Sequence, residues 1–94
     1  MKVHWSPTAV SDLQSIRDYI AQDSPTAAQK VAANIKEATG RLANFPLSGR
    51  MGRVPGTREL VLPGTSYIAA YRVRDNAVEI AAVLHGRQNW PERF

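Results

Sequence analysis

The residues of this chain that could take part in catalysis are a histidine and several arginines. His85 stands two positions before Arg87, and Arg58 and Arg72 lie earlier in the same half of the chain. An imidazole flanked by guanidinium groups could act as a general acid or base on a phosphodiester, because nearby arginines would stabilise the charge of the transition state. The alternative for His85 is a structural role at the end of a strand. His4 has no partner that the sequence identifies.

The basic residues also indicate a binding function. Nine of the twelve are arginine, and the formal net charge of +4 divides into +3 for residues 46–94 and +1 for residues 1–45. The guanidinium fork suits phosphates and carboxylates, so a nucleic acid and an acidic protein are both compatible partners. An alternative for the loop arginines is simple solvation, and for Trp90 a packed tail. The candidate binding residues are Arg50, Arg53, Arg58, Arg74, Arg87 and Trp90.

Composition excludes several classes of protein. The absence of cysteine excludes a disulfide framework, a thiolate zinc site and a cysteine nucleophile, and two histidines argue against a metal site. With 94 residues the chain forms one domain and has no room for a cofactor-binding domain. Its longest apolar run, residues 80–84, is too short for a membrane span, and no signal segment is visible. We therefore expect a cytoplasmic protein without metal or cofactor.

Two helices are predicted after a short N-terminal strand at Lys2–Trp5. Ser6-Pro7 and Ser24-Pro25 each pair an N-cap residue with the proline that the first helical position accepts. Apolar residues then recur at helical spacing to about residue 22 and, in the second helix, to Leu42, so the helices form an αα-hairpin. Residues 45–56 are rich in Pro, Gly, Ser and Arg, which predicts a loop of about ten residues, a length that is often functional.

Three further strands are predicted over residues 59–62, 67–74 and 77–84. Asp75-Asn76 suits a two-residue hairpin turn, and the numbers of paired residues in that hairpin then sum to 151. One face becomes apolar through the pairs Val73–Val78, Tyr71–Ile80, Ala69–Ala82 and Tyr67–Leu84. The other pairs Arg72 with Glu79, Ala70 with Ala81 and Ile68 with Val83, and is half polar, as an exposed or partner-covered face would be. The predicted fold is α+β, in the order β-α-α-β-β-β: a curved antiparallel sheet with the helical hairpin packed on one face.

The order and spacing of short motifs resemble the RelE/ParE superfamily of toxins from bacterial type II toxin–antitoxin modules. No single motif is specific, but together they cover nearly the whole chain. The resemblance implies a single toxin domain over residues 1–94 and a cognate antitoxin, encoded beside it, whose C-terminal segment wraps the toxin in a hetero-oligomer. The motifs are Val3-His-Trp-Ser6, Asp12-Leu13, Asp18-Tyr-Ile20, Phe45-Pro46 with Gly49, Arg58-Glu-Leu60, Gly64-Thr-Ser-Tyr67, Tyr71-Arg-Val73, Val78-Glu-Ile80 and Val83-Leu-His85.

The resemblance also bears on the target, because members divide between ribosome-dependent cleavage of messenger RNA and inhibition of DNA gyrase. RelE-like nucleases carry an arginine directly after the aromatic residue that begins the third strand, where this chain has Ile68 after Tyr67. Their two strand-two lysines fall on Glu59 and Val61. An apolar side chain cannot stabilise a pentavalent phosphate, and a glutamate would repel the RNA backbone. The tyrosine expected in the RelE tail is also missing here, where the tail offers Trp90 and Phe94.

These departures, and the ParE-like Val83-Leu-His85, favour a toxin that poisons DNA gyrase by binding, with no catalytic residues. One alternative is a RelE-like endonuclease acting on the translating ribosome and its mRNA, in which His85, Arg87, Arg58 and Arg72 are catalytic. A second alternative is a degenerate member that binds only its antitoxin. In each case we expect the antitoxin to add a strand at a sheet edge and to contact the half-polar face and the basic loop.

Overall fold

Two helices and five strands make up the computed structural model, which describes all residues from Met1 to Phe94. The predicted α+β class, the helical hairpin and the four predicted strands are confirmed. A fifth strand of two residues lies within the segment predicted as a loop, because Arg50 and Met51 pair with Glu59 and Arg58. In chain order the elements are β1 (Lys2–Trp5), α1 (Pro7–Ala21), α2 (Pro25–Gly40), β2 (Arg50–Met51), β3 (Arg58–Val61), β4 (Tyr67–Arg74) and β5 (Ala77–His85), with a 3₁₀ turn, Arg41–Ala43, after α2.

Both helices begin at the predicted serine caps. The Ser6 hydroxyl accepts a hydrogen bond from the Ala9 amide at 3.0 Å, and the Ser24 hydroxyl accepts one from the Ala27 amide at 3.1 Å. Each cap satisfies one amide that the first helical turn leaves without a partner. Neither helix has the length and apolar character needed to cross a bilayer. α1 packs on β5 and α2 packs on α1, and the buried residues are Ala9, Leu13 and Ile16 of α1 and Ala28, Ala32, Ile35, Ala38 and Thr39 of α2.

The sheet has the strand order β1-β5-β4-β3-β2. The three pairs β2–β3, β3–β4 and β4–β5 are antiparallel, whereas β1 runs parallel to β5. The sheet is therefore mixed, where the sequence predicted antiparallel pairing throughout. The difference arises because β1 pairs with a strand some 75 residues away, for example Lys2 with Ala77, and alternation within β1 carries no information about that neighbour.

The predicted register of the β4–β5 hairpin is correct near its turn and wrong beyond it. Asp75 and Asn76 have φ values of 54° and 57°, as the tight turn requires, and the pairs from Arg74–Ala77 to Tyr71–Ile80 sum to 151. A β-bulge then adds Ala81 to β5, so that Ala70 pairs with Ala82, Ala69 with Val83, Ile68 with Leu84 and Tyr67 with His85. The extra residue moves Val83 onto the helix-covered side, where it joins the main core.

The second face of the sheet is covered by the chain itself, which corrects the expectation of an exposed or partner-covered face. Ile68, Ala70, Ala82 and Leu84 point away from the helices by strand alternation, yet all four are buried. The segment after β2 and the residues after β5, which we call the tail (residues 86–94), supply the cover. Gly86 donates to the Ser66 carbonyl, and Arg72 reaches the Phe94 carbonyl at 3.4 Å. The sheet thus lies between two layers, the helical hairpin on one side and the loop and tail on the other.

Candidate functional site

Glu59 lies at the centre of an ion-pair cluster on the tail-covered face. Its side chain is only 2% exposed, and one carboxylate oxygen accepts from Arg50 Nη2 at 3.0 Å and from Nε at 3.2 Å. The other oxygen accepts from the Arg53 amide at 2.7 Å and from Arg53 Nε at 3.1 Å. We call Arg50, Arg53 and Glu59 the arginine clamp. It fixes the loop after β2 to β3, so both candidate arginines are held by a buried carboxylate while their outer edges stay half exposed.

The clamp keeps Glu59 ionised. Burial by itself raises the pKa of Glu59, but hydrogen bonds from the Arg53 side chain and amide, those from Arg50 and the positive charge of Arg53 outweigh it, so the pKa lies below the usual 4.5. A carboxylate that is both buried and ionised at neutral pH is poorly suited to proton transfer. Glu59 therefore acts as an anchor for two cations, and the clamp as a whole carries a net charge of about +1.

Trp90 connects the tail to the arginine clamp. The Arg53 guanidinium lies 3.7 Å from the centre of the Trp90 ring, which is a cation–π contact. The indole Nε1 donates to the His85 carbonyl at 3.2 Å, and the Phe94 ring packs edge-on at 6.4 Å. Of the two sequence interpretations of Trp90, the packed tail is what the structure contains. Its ring remains partly exposed beside Arg53, so the pair still forms part of the surface.

Arg58 and Tyr71 order the segment between α2 and β2. Arg58 Nη1 donates to the Gly49 carbonyl at 2.8 Å, and the buried Tyr71 hydroxyl donates to the Pro46 carbonyl at 2.7 Å while accepting from the Gly49 amide at 2.9 Å. A Cβ atom on Gly49 would lie 2.6 Å from the Tyr71 hydroxyl oxygen, so this close approach requires glycine. Arg58 is thus engaged by backbone carbonyls in the absence of a partner.

His85 lies at the opposite end of β4 and β5 from the hairpin turn. Its ring packs edge-on against Tyr67 at 5.6 Å, and its Nδ1 accepts from the Arg87 amide at 3.1 Å. An accepting Nδ1 places the proton of the neutral ring on Nε2. The Arg87 side chain is exposed in the turn that follows β5. The interaction between these two residues runs through the Arg87 backbone, not through its guanidinium.

The four residues proposed for a nuclease site are not brought together. His85 pairs with Tyr67, whereas Arg58 pairs with Tyr71, four residues along β4, or about 13 Å at about 3.3 Å per residue. Arg58 shares the helix-covered side with Leu60, while Arg72 lies on the other face.

Arg72 and Arg74 lie on the tail-covered face near the hairpin turn. Arg72 forms a cross-strand ion pair with Glu79, the residue it is predicted to face, with its Nε 3.1 Å from Glu79 Oε1, and Arg74 approaches the same oxygen at 4.0 Å. The Arg74 side chain is 64% exposed. The six candidate binding residues therefore divide: Arg50, Arg53 and Trp90 meet in one cluster, while Arg58, Arg74 and Arg87 lie elsewhere.

Sequence reasoning missed Glu59 as the organiser of this surface. It treated the glutamate as a repulsive replacement for a lysine, because the partners of a strand residue across a loop cannot be derived from spacing alone. One signal was present: a carboxylate on a strand follows two loop arginines by six and nine positions. The hairpin between β2 and β3 places Arg50 opposite Glu59, while Arg53 reaches the same carboxylate from the loop after β2.

Comparison with known proteins finds similarity to toxins and to toxin–antitoxin systems. A family described as ParE toxin of type II toxin-antitoxin system, parDE, matches residues 3–90. The putative toxin Y4kP of Sinorhizobium fredii is 44% identical over 91 residues, which cover 97% of this chain and 94% of that protein. Toxin RelE2 of Caulobacter vibrioides is 39% identical over 84 residues, covering 89% and 93%. A chain from the chromosomal ParDE toxin–antitoxin system of P. aeruginosa is similar in structure, with a TM-score of 0.79, 30% identity and coverage of 88% and 92%.

Proposed function

The chain belongs to the ParE toxin family of type II toxin–antitoxin systems, and we propose that it arrests growth by binding and poisoning DNA gyrase. Membership in the family makes it the toxin component of such a system, with an antitoxin as its partner. The relatives carry both RelE and ParE names, so the target has to be argued from the residues of this chain.

The observation that carries the proposal is that Glu59 and Ile68 are both buried and that Glu59 is paired with arginines. By the resemblance, RelE-like nucleases hold basic residues at these positions. Here Glu59 is buried and binds Arg50 and Arg53, and Ile68 is buried on the same face of the sheet. A ribonuclease needs cations that are free to meet charge developing on the phosphate. In this chain the same region is used to hold a loop and a tail in place, which supports a binding function.

A ribosome-dependent nuclease remains the second candidate, and His85 is the observation in its favour. Its Nδ1 accepts a backbone hydrogen bond, so the ring has a defined tautomer, and the exposed Arg87 follows it closely. The positions of Arg58 and Arg72 argue against the nuclease. They lie on opposite faces of the sheet and away from His85, so neither guanidinium is fixed near the imidazole. A member that binds only its antitoxin would inhibit neither target.

A supercoiling assay tests the gyrase proposal directly. Purified toxin at micromolar concentration is added to gyrase and relaxed plasmid, with and without the antitoxin encoded beside it. We expect inhibition by the toxin alone and recovery of supercoiling when antitoxin is present. Gyrase activity that is unchanged by micromolar toxin would reject the proposal. Growth arrest in cells that produce the same chain checks that the chain is toxic.

A further inference from the structure

A polar cleft lies between the tail and the sheet, near the β4–β5 turn and the start of α1. Its volume is about 500 Å³, and only two of its nine lining residues are hydrophobic. The cleft contains Arg72 and Arg74 from β4, Arg93 from the tail and Thr8 from α1. It lies at the other end of the sheet from His85, and of the four nuclease residues considered above it contains only Arg72.

The charges that line this cleft are strongly unbalanced. Among the side chains that line it, three arginines face the one carboxylate of Glu79, so the lining side chains carry a net charge of about +2. Arg72 is held close to Glu79 at 3.1 Å, while Arg74 is 4.0 Å away and largely exposed, and Arg93 has no acidic partner within ion-pair distance. Asp75 and Glu92 lie in the neighbouring turn and tail but do not line the cleft. Arg74 and Arg93 are therefore available to an anionic ligand.

The start of α1 adds to the positive potential produced by the arginines. Thr8 lies in the first turn of this 15-residue helix, and that turn contains no acidic residue. The amides at the N-terminus of a helix carry partial positive charge, which favours an anion nearby. The helix end and the arginines line the same cleft, so an anion there would meet the guanidinium groups and the positive end of the helix dipole.

We propose that the cleft binds the phosphodiester backbone of duplex DNA, and that it does so when the toxin acts on gyrase and its DNA. The lining distinguishes this ligand from a protein partner. A protein interface has a core of apolar and aromatic contacts, whereas protein–DNA interfaces are polar and positively charged, as this cleft is. The proposal rests on the gyrase function and adds to it a direct contact between toxin and DNA.

The first experiment measures binding of the full-length toxin to a fluorescein-labelled DNA duplex by anisotropy over a series of salt concentrations. The test variant is Arg74→Ala/Arg93→Ala. Its control is Arg17→Ala/Lys36→Ala, which removes the same charge from the helical hairpin. Each phosphate contact contributes about 0.9 to the slope of log K against log salt, so the test variant loses about 1.8 in slope and at least about tenfold in affinity at low salt. The control binds within about twofold of wild type.

Three results would overturn the proposal. The first is equal weakening in both variants, which would mean that net charge alone attracts DNA. The second is a single-stranded RNA that competes more strongly than duplex DNA, which would assign the cleft to RNA. The third is a test variant that loses DNA binding yet inhibits gyrase as well as wild type, since the DNA contact would then have no part in the action. Both arginines are exposed, so unchanged thermal unfolding is expected and checks that the variant folds.

The same assays separate failure of this inference from failure of the gyrase function. If wild-type toxin leaves supercoiling unchanged, the gyrase function is wrong, and the inference about action on gyrase falls with it. If wild-type toxin inhibits supercoiling and the test variant requires a several-fold higher concentration, both are supported. If wild type and test variant inhibit equally, only the part of the DNA contact in gyrase inhibition is rejected.

Discussion

Glu59 gives the loop arginines a structural role. Its buried carboxylate accepts five hydrogen bonds from Arg50 and Arg53. These bonds fix the orientation of both arginine side chains. The sequence alone showed several arginines and a glutamate, and it was natural to assign the arginines to a partner. The structure shows that two of them serve the fold first and present only their outer edges to a ligand.

Replacing Glu59 by glutamine tests this role through pH. The folded-state pKa is lowered, so ionised Glu59 stabilises the fold above the unfolded value of about 4.5, and that stability is lost as the pH falls through the folded-state pKa. We expect Glu59→Gln to lower the free energy of unfolding by about 1–3 kcal/mol at pH 7 and to flatten its decline in acid, as measured by urea denaturation. The exposed Glu92→Gln is the control. Parallel pH profiles for wild type and Glu59→Gln would contradict the account.

Tyr71 provides a second test at the scale of single residues. Its hydroxyl is buried and satisfies both the Gly49 amide and the Pro46 carbonyl. Tyr71→Phe keeps the ring but leaves both backbone groups without a partner, so we expect a loss of about 1–3 kcal/mol in denaturant unfolding. The control is Tyr19→Phe on the exposed surface of α1, expected to change stability by less than about 0.5 kcal/mol. Equal effects of the two variants would argue against the assigned hydrogen bonds.

At the scale of elements, the bulge at Ala81 determines which residues reach the core. Beyond Ile80, where β1 no longer pairs with β5, residues at and near the start of α1 bond the β5 backbone: the Ser6 hydroxyl donates to the Ala81 carbonyl at 2.8 Å, and Asp12 accepts from the Val83 amide at 2.9 Å. The helix therefore holds the irregular strand in place. The motif Asp12-Leu13, singled out in the sequence, has a structural role here that its residue types did not reveal.

Removal of the Asp12 carboxylate should weaken this contact. A buried amide that loses a charged acceptor costs about 1.5–3 kcal/mol, and we expect Asp12→Ala to reduce the free energy of unfolding by that amount. Asp18→Ala, an exposed aspartate on the same helix, is the matched control and should have little effect. A result in which the two variants are indistinguishable would mean that Asp12 does not support the bulge.

The elements show which parts of the fold were predictable. Local chemistry determined the helix caps at Ser6 and Ser24 and the Asp75-Asn76 turn, and all three are confirmed. The predicted register is wrong past Ile80, because the alternation of residues along a hairpin does not reveal a one-residue bulge. The parallel pairing of β1 with β5 was not predicted, because alternation within β1 carries no information about a strand some 75 residues away. Local sequence therefore predicts the helices, strands and turns, whereas strand pairing and register depend on residues far apart in the sequence.

At the scale of the whole molecule, the tail turns a two-layer fold into a three-layer one. Half-polar alternation predicted an open face on the sheet, yet Ile68 and Leu84 are buried there. The composition of the tail is compatible with packing on the domain or with an exposed anchor. The contacts of Trp90 with Arg53 and with the His85 carbonyl show that it packs on the domain. The candidate site is thus assembled from segments distant in sequence, which explains why spacing could not reveal it.

Trp90 is the residue through which the tail can be tested. We expect Trp90→Ala to remove the stacking on Arg53 and the hydrogen bond to His85, lowering stability by about 1–3 kcal/mol and speeding amide exchange on the strands beneath. Hydrogen exchange of Ile68 and Leu84 measures the second effect. Asn89→Ala, an exposed neighbour, should leave exchange unchanged. Wild-type protection in Trp90→Ala would mean that the tail does not depend on this contact.

The most direct test of the central claim is expression of the toxin from a tightly repressed promoter, with an SOS reporter and primer extension on total RNA read from one culture. Poisoned gyrase leaves broken DNA, whereas a ribosome-dependent nuclease leaves cut messages. The account predicts growth arrest with a strong SOS response and intact transcripts. Arrest with cut transcripts and a silent reporter would contradict it and make the chain a nuclease.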